Sequence, residues 1–234
     1  MYRYDLHVHT SEASRCGRSP AKDIARAYAD AGYDGIVITD HFIHGNTAVS
    51  EELPWKERIR AYEAACLSAR EEGAKRGLDV LFGIEHRFGD GGKEVLVYGI
   101  LPETLALHPE IETMEIEAFC HFMHQNGAYI SMAHPFRKKP YIPQPGVSVD
   151  SSLLDALEVY NAGNRDDENF RALYYACRHG LGMTSGGDVH DAESEQIGQA
   201  GMLFSRRITS EKALAQALFA GEGLILSNGT PCDD

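Results

Sequence analysis

The sequence of 234 residues lacks several features that would indicate particular classes of protein. No run approaches the roughly 18 apolar residues that cross a membrane, and the first residues hold no apolar segment like that of a signal peptide. The five cysteines are an odd number and form no CxxC pair, which is typical of reduced thiols. We therefore expect a cytoplasmic protein that does not associate with membranes.

Basic residues are also scarce. The chain has 22 lysines and arginines against 35 aspartates and glutamates, a formal net charge of −13. This charge disfavours long nucleic acid as a partner, and no basic groove with interleaved aromatic residues is evident. The negative net charge is compatible with a small anionic substrate, because metals and arginines inside a pocket can make the local electrostatic potential positive. P-loop, GxSxG and dinucleotide-binding glycine patterns are absent as well.

What the chain does have is an alternation of short apolar segments with longer segments of helical periodicity. Helices are predicted over residues 21–31, 54–76, 114–125 and 167–179, and strands over residues 2–8, 35–39, 79–84, 94–99, 128–133, 156–160, 181–185, 200–204 and 223–226. Residues 89–92 predict a hairpin turn between two of these strands. The alternation indicates a single α/β domain over residues 1–234 with a mainly parallel sheet. An open doubly wound sheet fits equally well, but the polar residues described next favour a barrel.

Histidines and carboxylates recur at the carboxyl ends of the predicted strands. His7 and His9 are one residue apart, so both point to the same side of the first strand. The full set is His7, His9, His41, Glu85, His134, Asp188 and His190. A single buried histidine is usually an ordinary core residue with a hydrogen-bond partner. In a parallel barrel, however, all these strand ends share one rim, so the set predicts a metal site.

Imidazole and carboxylate donors without thiolate suit Zn²⁺, Mn²⁺ or Fe²⁺. A carboxylate such as Glu85 can bridge two ions. Two ions about 3.5–4 Å apart activate water and stabilise both oxygens of an in-line displacement, which suits the hydrolysis of phosphate esters.

The order and spacing of these residues resemble the polymerase and histidinol phosphatase (PHP) superfamily. The matching segments are His7-Val8-His9-Thr10, Ile38-Thr39-Asp40-His41, Gly83-Ile84-Glu85, Ala133-His134-Pro135 and Gly187-Asp188-Val189-His190. The resemblance extends from residue 5 to about residue 225. It implies a distorted seven-stranded β/α barrel, (β/α)7, with two or three divalent metal ions and phosphoesterase activity.

The resemblance also implies roles for individual residues. A first metal would be held by four residues, His7, His9, Glu85 and Asp188. Glu85 would bridge to a second metal that His134 also binds, and His41 with His190 would belong to a third. Asp40 would orient a ligand, since metal-bound imidazoles usually donate their other N–H to such a group.

The chain departs from the family pattern in two places. In the family, the strand after the glutamate often contains a histidine, but the strand after Glu85 contains none. The family's loop after the first two histidines usually contributes a histidine or aspartate to the third metal, but residues 11–16 include neither. In that loop, Glu12 or Cys16 is left as a candidate ligand. If the third position is empty, Arg15 is a candidate phosphate ligand, and His41 or His190 would act as the general acid.

Arg137 is three residues beyond His134 and is predicted to clamp the phosphate through its planar donor fork. The leading hypothesis is therefore a histidinol-phosphatase-like phosphomonoesterase, in which a metal-activated hydroxide attacks a small phosphorylated substrate. One alternative is an exonuclease or oligonucleotide phosphodiesterase of the same superfamily. The other is a non-catalytic regulatory module that binds metal.

Overall fold

The computed structural model describes residues 1–89, 92–140, 142–147 and 149–232. Its strands are β1 Tyr2–Val8, β2 Gly35–Ile38, β3 Asp79–Phe88, β4 Lys93–Tyr98, β5 Tyr129–Met132, β6 Ala156–Asn161, β7 Gly182–Gly186, β8 Ala200–Phe204, β9 Leu224–Ser227 and β10 Thr230–Pro231. Its α-helices are α1 Ala21–Asp30, α2 Trp55–Ala74, α3 Pro102–Leu107, α4 Ile116–Gln125, α5 Asp166–His179 and α6 Glu211–Phe219.

The strands form one curled sheet in the order β10-β9-β8-β1-β2-β3-β4-β5-β6-β7. Strands β1, β2 and β3 are parallel, as are β5, β6 and β7. The curl brings the segment after β7 beside β1, where Val189 forms a parallel bridge with Val8. The predicted α/β fold with a distorted barrel of the PHP type is therefore confirmed.

The sheet is more mixed than the alternation predicted. Strand β4 is antiparallel to both β3 and β5, and the carboxyl-terminal strands β8 and β9 also pair antiparallel. Short connections cannot reverse the chain into a parallel neighbour, so a hairpin must be antiparallel. The hairpin between β3 and β4 was predicted, and its turn falls partly on residues 90 and 91, which lie outside the described residues.

Strand β2 shows why the sequences of the parallel strands are continuous apolar runs. Ile36 and Ile38 belong to a core cluster that includes residues of α1 and α2, whereas Val37 belongs to a second cluster that includes residues of α6. Alternate side chains of a strand point to opposite faces, so both faces of β2 are buried. This burial fixes the position of the strand ends, where the polar residues lie. Of the helices that the structure describes, none is long and apolar enough to cross a membrane.

Candidate metal centre

Backbone pairing places the predicted ligands beside one another at one rim of the barrel. The N–H of Asp188 donates to the carbonyl of His7 at 2.8 Å, and the N–H of His9 donates to the carbonyl of Val189 at 2.9 Å. These two bonds hold the first histidine pair against the segment that carries Asp188. On the other side, His41 and Glu85 form a parallel bridge. Glu85 lies within β3, because that strand continues past the rim to pair with β4.

One group of side chains surrounds the end of β1. The Nε2 atoms of His7 and His9 lie 3.0 Å apart. Asp188 Oδ1 lies 3.5 Å from the first nitrogen and 3.3 Å from the second. Glu85 Oε1 is 3.4 Å from His7 Nε2, and Glu85 Oε2 is 3.5 Å from His9 Nε2. These four side chains are the ones that the resemblance assigns to the first metal.

A second group surrounds the other side of Glu85. His134 Nε2 lies 3.0 Å from Glu85 Oε1, and His41 Nδ1 lies 2.7 Å from Glu85 Oε2. Glu94 joins this group, since its carboxylate oxygens are 3.6 Å from His134 Nε2 and 3.8 Å from His41 Nδ1. The structure thus supplies a carboxylate near the position where the strand after Glu85 lacks a histidine.

The third group consists of imidazoles. Ring nitrogens of His9, His41 and His190 lie within 4.8 Å of one another. The His9 ring stacks on the His190 ring with centroids 4.3 Å apart. All seven predicted ligands therefore converge, and His9, His41 and Glu85 each belong to more than one group.

Two buried atoms at the centre of this cluster lack hydrogen bonds. Glu85 Oε2 and His41 Nδ1 are close but not aligned for a hydrogen bond, and neither has another partner among the described residues. Leaving a buried polar atom unsatisfied costs roughly 1–3 kcal/mol, and more for a charged one. A divalent cation would satisfy both atoms. The donor set therefore fits hard or borderline divalent metals.

Carboxylates outside the cluster orient its histidines. His7 Nδ1 donates to Glu158 Oε1 at 2.8 Å, so Nε2 is the nitrogen that faces the cluster. His9 Nδ1 donates to Ser14 Oγ at 3.1 Å, and that hydroxyl donates in turn to Asp40 Oδ1 at 2.7 Å. Asp40 thus reaches a predicted ligand through Ser14.

The pKa shifts of His7 and Glu94 reflect the negative charge of neighbouring carboxylates. Burial lowers the pKa of His7, but the carboxylates of Glu158, Asp188 and Glu85 outweigh burial and hold that pKa well above its usual value. Burial, together with the neighbouring Glu85 carboxylate, raises the pKa of Glu94. A cation bound beside these carboxylates would likewise be stabilised by their charge.

Comparison with known proteins agrees with this geometry. Residues 166–222 match a family model described as PHP-associated. The fold is similar to that of a two-domain protein from Bacteroides vulgatus with a predicted PHP-like metal-dependent phosphoesterase (TM-score 0.72, 15% identity, 98% of this chain and 66% of that chain). The chain therefore shares the fold of this PHP-like protein, and its carboxyl-terminal part matches the PHP-associated family model.

Two further solved structures resemble the chain less closely in fold or over a smaller share of their length. A protein from Bifidobacterium adolescentis named as a metal-dependent phosphoesterase has a TM-score of 0.55 and 17% identity, over 94% of this chain and 96% of that chain. Endonuclease Q from Pyrococcus furiosus has a TM-score of 0.63 and 14% identity, over 94% of this chain and 56% of that chain. The chain thus spans about two thirds of the Bacteroides protein and just over half of the endonuclease. A search of curated proteins finds no match.

Arg137 is held by three partners. Its Nη1 lies 2.6 Å from Asp188 Oδ2, its Nε donates to Asn164 at 2.7 Å, and its Nη2 donates to Asn161 at 2.8 Å. Arg137 therefore positions the Asp188 carboxylate, and it also lines a cavity beside the cluster of predicted ligands.

That cavity has a volume of about 390 Å³ and a polar lining. Four of the predicted ligands line it, and the other lining residues include Cys16, Arg18, Glu94, Lys139, Asp191 and Gln196. Arg15 is exposed, and its N–H donates to the carbonyl of Asn46 at 2.9 Å. Its phosphate-binding role stays a prediction.

Sequence reasoning missed Glu94 and Glu158. Glu94 lies near the amino end of β4, and because β4 is antiparallel, this end meets the same rim as the carboxyl ends of the parallel strands. The predicted hairpin carried this signal. Glu158 is an acidic residue in an otherwise apolar strand, between Leu157 and Val159, and it is fully buried. A buried charge in a strand interior needs a partner, which here is His7.

Proposed function

We propose that this chain belongs to the PHP superfamily and is a metal-dependent phosphomonoesterase that acts on small phosphorylated molecules. The observation that carries the proposal is the convergence of imidazoles and carboxylates around Glu85 Oε2, a buried charged atom without a hydrogen bond among the described residues. Divalent ions bound there would activate water for attack on phosphorus and neutralise charge on the phosphoryl oxygens. We propose Zn²⁺, Mn²⁺ or Fe²⁺, in two or three sites.

The residues would divide among these sites as their distances indicate. One ion would be held by His7, His9, Glu85 and Asp188. A second would share Glu85 and add His134 and Glu94. His41 and His190 lie beside both groups and would hold a third ion or, in its absence, move a proton. His190 Nδ1 donates to the carbonyl of Asp188 at 2.8 Å, so its Nε2 is the atom left for either task.

The cavity supports a small anionic substrate. Its lining includes three basic side chains, Arg18, Arg137 and Lys139, in a chain with a net charge of −13. Arg137 is 11% exposed and held in place, so it would orient a phosphoryl oxygen without losing further rotamer freedom. A volume of about 390 Å³ lies within the usual range of sites for small molecules, roughly 300–1,000 Å³.

The second candidate is an oligonucleotide phosphodiesterase, because endonuclease Q shares the fold. Elemental analysis of the native protein, combined with a substrate panel, tests both candidates. The panel would hold phosphomonoesters such as histidinol phosphate beside short RNA and DNA oligomers. We expect bound metal and release of phosphate from a monoester. Turnover of oligomers alone would favour the phosphodiesterase, and bound metal without any hydrolysis would favour a regulatory module.

A further inference from the structure

A second cavity, with a volume of about 640 Å³, is lined by residues of α5 and β9. None of the seven predicted ligands, all of which the structure describes, lines it. Tyr129 and Gly182 line this cavity and are the first residues of β5 and β7. The predicted ligands His134 and Asp188 follow the carboxyl ends of these two strands. The cavity therefore reaches the strand ends opposite the metal centre.

The walls of this cavity are mainly apolar. Helix α5 contributes Phe170 and Leu173, which are 67% and 41% exposed, and β9 contributes Leu224 and Ile225. Met183 adds a flexible side chain that adapts to the shape of a neighbour. Apolar side chains that are exposed together typically mark a binding surface, because a bound apolar molecule removes them from water.

The Tyr129 hydroxyl is a polar group at the base of these walls. The side chain is only 4% exposed, and its ring packs edge-on against Phe219 with centroids 4.9 Å apart. A Cβ on Gly182 would collide with the hydroxyl oxygen, so this glycine keeps the space beside it open. The hydroxyl has no hydrogen-bond partner in the described part of the chain, whereas the other lining tyrosine, Tyr160, donates to Asn228 at 2.9 Å. Buried tyrosine hydroxyls usually have such a partner, so an acceptor on a bound molecule would complete this one.

The charges of the lining favour a neutral ligand. Its charged residues are Asp166 and Glu222, and among the described residues no lysine or arginine lines the cavity. Glu222 is paired with Arg206 outside the lining, at 3.1 Å. A carboxylate or phosphate buried here would lose its hydration without gaining a cation. The lining therefore disfavours fatty acids and phosphorylated molecules, in contrast to the cavity beside the metal centre.

We propose that this cavity binds a neutral, mainly apolar small molecule with one hydrogen-bond acceptor, to which the Tyr129 hydroxyl donates. Its volume of about 640 Å³ lies within the usual range of small-molecule sites, roughly 300–1,000 Å³. The proposal goes beyond the proposed function, because the two cavities have no lining residue in common.

Titration of the full chain with Nile red tests the assignment. This dye is neutral and apolar, carries a carbonyl acceptor, and fluoresces more strongly in apolar surroundings. Bound dye would then be challenged with 2-octanone and with octanoate, which have the same chain length but differ in charge. We expect saturable binding of one dye per chain, and displacement by 2-octanone at concentrations where octanoate has no effect.

Two variants locate the dye. Tyr129→Phe removes only the hydroxyl and should weaken dye binding about 3–10-fold, the usual contribution of one hydrogen bond. Its control is Tyr174→Phe, since Tyr174 is 58% exposed on α5 and lies outside the lining. Leu173→Trp should fill the cavity and abolish binding, with Leu107→Trp on the exposed side of α3 as its control. Both controls should bind the dye as the wild type does.

Several results would overturn the proposal. They are a wild type without saturable binding, binding that Leu173→Trp leaves unchanged, and octanoate that displaces the dye as well as 2-octanone does. Unchanged affinity in Tyr129→Phe would overturn the role assigned to the hydroxyl. Sedimentation of the dye-free protein covers the remaining case, because a dimer that dissociates in Leu173→Trp would show that a second copy of the chain occupies the cavity instead. None of these measurements involves metal or phosphate release, so their failure leaves the proposed function standing.

Discussion

At the scale of single residues, Glu85 has the central position in the site. Its Oε1 faces His134 and its Oε2 faces His41, at 3.0 and 2.7 Å. The carboxylate is fully buried, and the histidines hold its pKa well below the usual value although burial alone would raise it. It is therefore an anion at neutral pH and is placed to join two cations.

The first prediction concerns this bridge. Glu85→Gln keeps the size of the side chain but removes the charge that two ions would share, which is worth several kcal/mol of charge stabilisation. We expect turnover of a phosphomonoester to fall by about 10²–10³-fold while the circular dichroism spectrum is unchanged. Glu71→Gln is the control, since Glu71 is 79% exposed on α2. Wild-type turnover by Glu85→Gln would be incompatible with a bridging role.

The second prediction concerns Glu158, which touches a predicted ligand without facing the cavity. Its Oε1 accepts from His7 Nδ1, and its Oε2 accepts from the N–H of His134 at 2.8 Å. Loss of such an orienting carboxylate typically weakens metal binding by about 10–100-fold. We expect a weakening of this size in Glu158→Gln, measured by competition with a chromophoric chelator. Unchanged affinity would show that His7 is oriented by its backbone alone.

At the scale of elements, the pairing of strands explains which parts of the site could be predicted from the sequence. The seven strand-end residues were found because apolar runs in an α/β pattern end at one rim. Glu94 was not predicted, because the search considered only residues at the carboxyl ends of strands. Strand β4 is antiparallel to β3, so it reaches the rim with its amino end. Glu158 was not predicted, because it contacts His7 across two strands, β6 and β1, and the two residues are 151 positions apart in the sequence. No local pattern encodes a contact of that kind.

The third prediction tests the close approach of β7 to β1. A Cβ on Gly186 would lie 2.9 Å from the backbone nitrogen of His7 and 3.0 Å from Glu158 Oε1. Gly186→Ala must therefore push these strands apart, and overpacking of this kind typically costs about 1–3 kcal/mol. We expect a loss of this size in the free energy of unfolding, measured by urea denaturation, together with weaker metal binding. A variant as stable as the wild type would mean that the strands have room to separate.

At the scale of the whole molecule, the fold brings several acidic groups to one rim, where bound cations would balance their charge. The neighbouring carboxylates hold the pKa of His7 above its usual value in the metal-free protein, despite burial. A proton therefore occupies this side chain near neutral pH and must leave before the imidazole can bind a metal.

The fourth prediction follows from that competition. Since the raised pKa makes protons stronger competitors at lower pH, the apparent metal affinity should rise as pH increases from about 6 to 8. Isothermal titration calorimetry in buffers of different ionisation enthalpy would measure both the affinity and the protons released. A flat affinity across this range, with no proton release, would contradict the charge balance described above.

We propose that bound divalent metal makes this protein a phosphomonoesterase. The most direct measurement is phosphate release by the full chain as purified, after removal of its metal, and after reconstitution with measured equivalents of Zn²⁺, Mn²⁺ or Fe²⁺. The account predicts that turnover is lost with the metal and returns as the second equivalent binds. Turnover that survives complete metal removal, or a fully loaded protein that hydrolyses no phosphate ester, would contradict it.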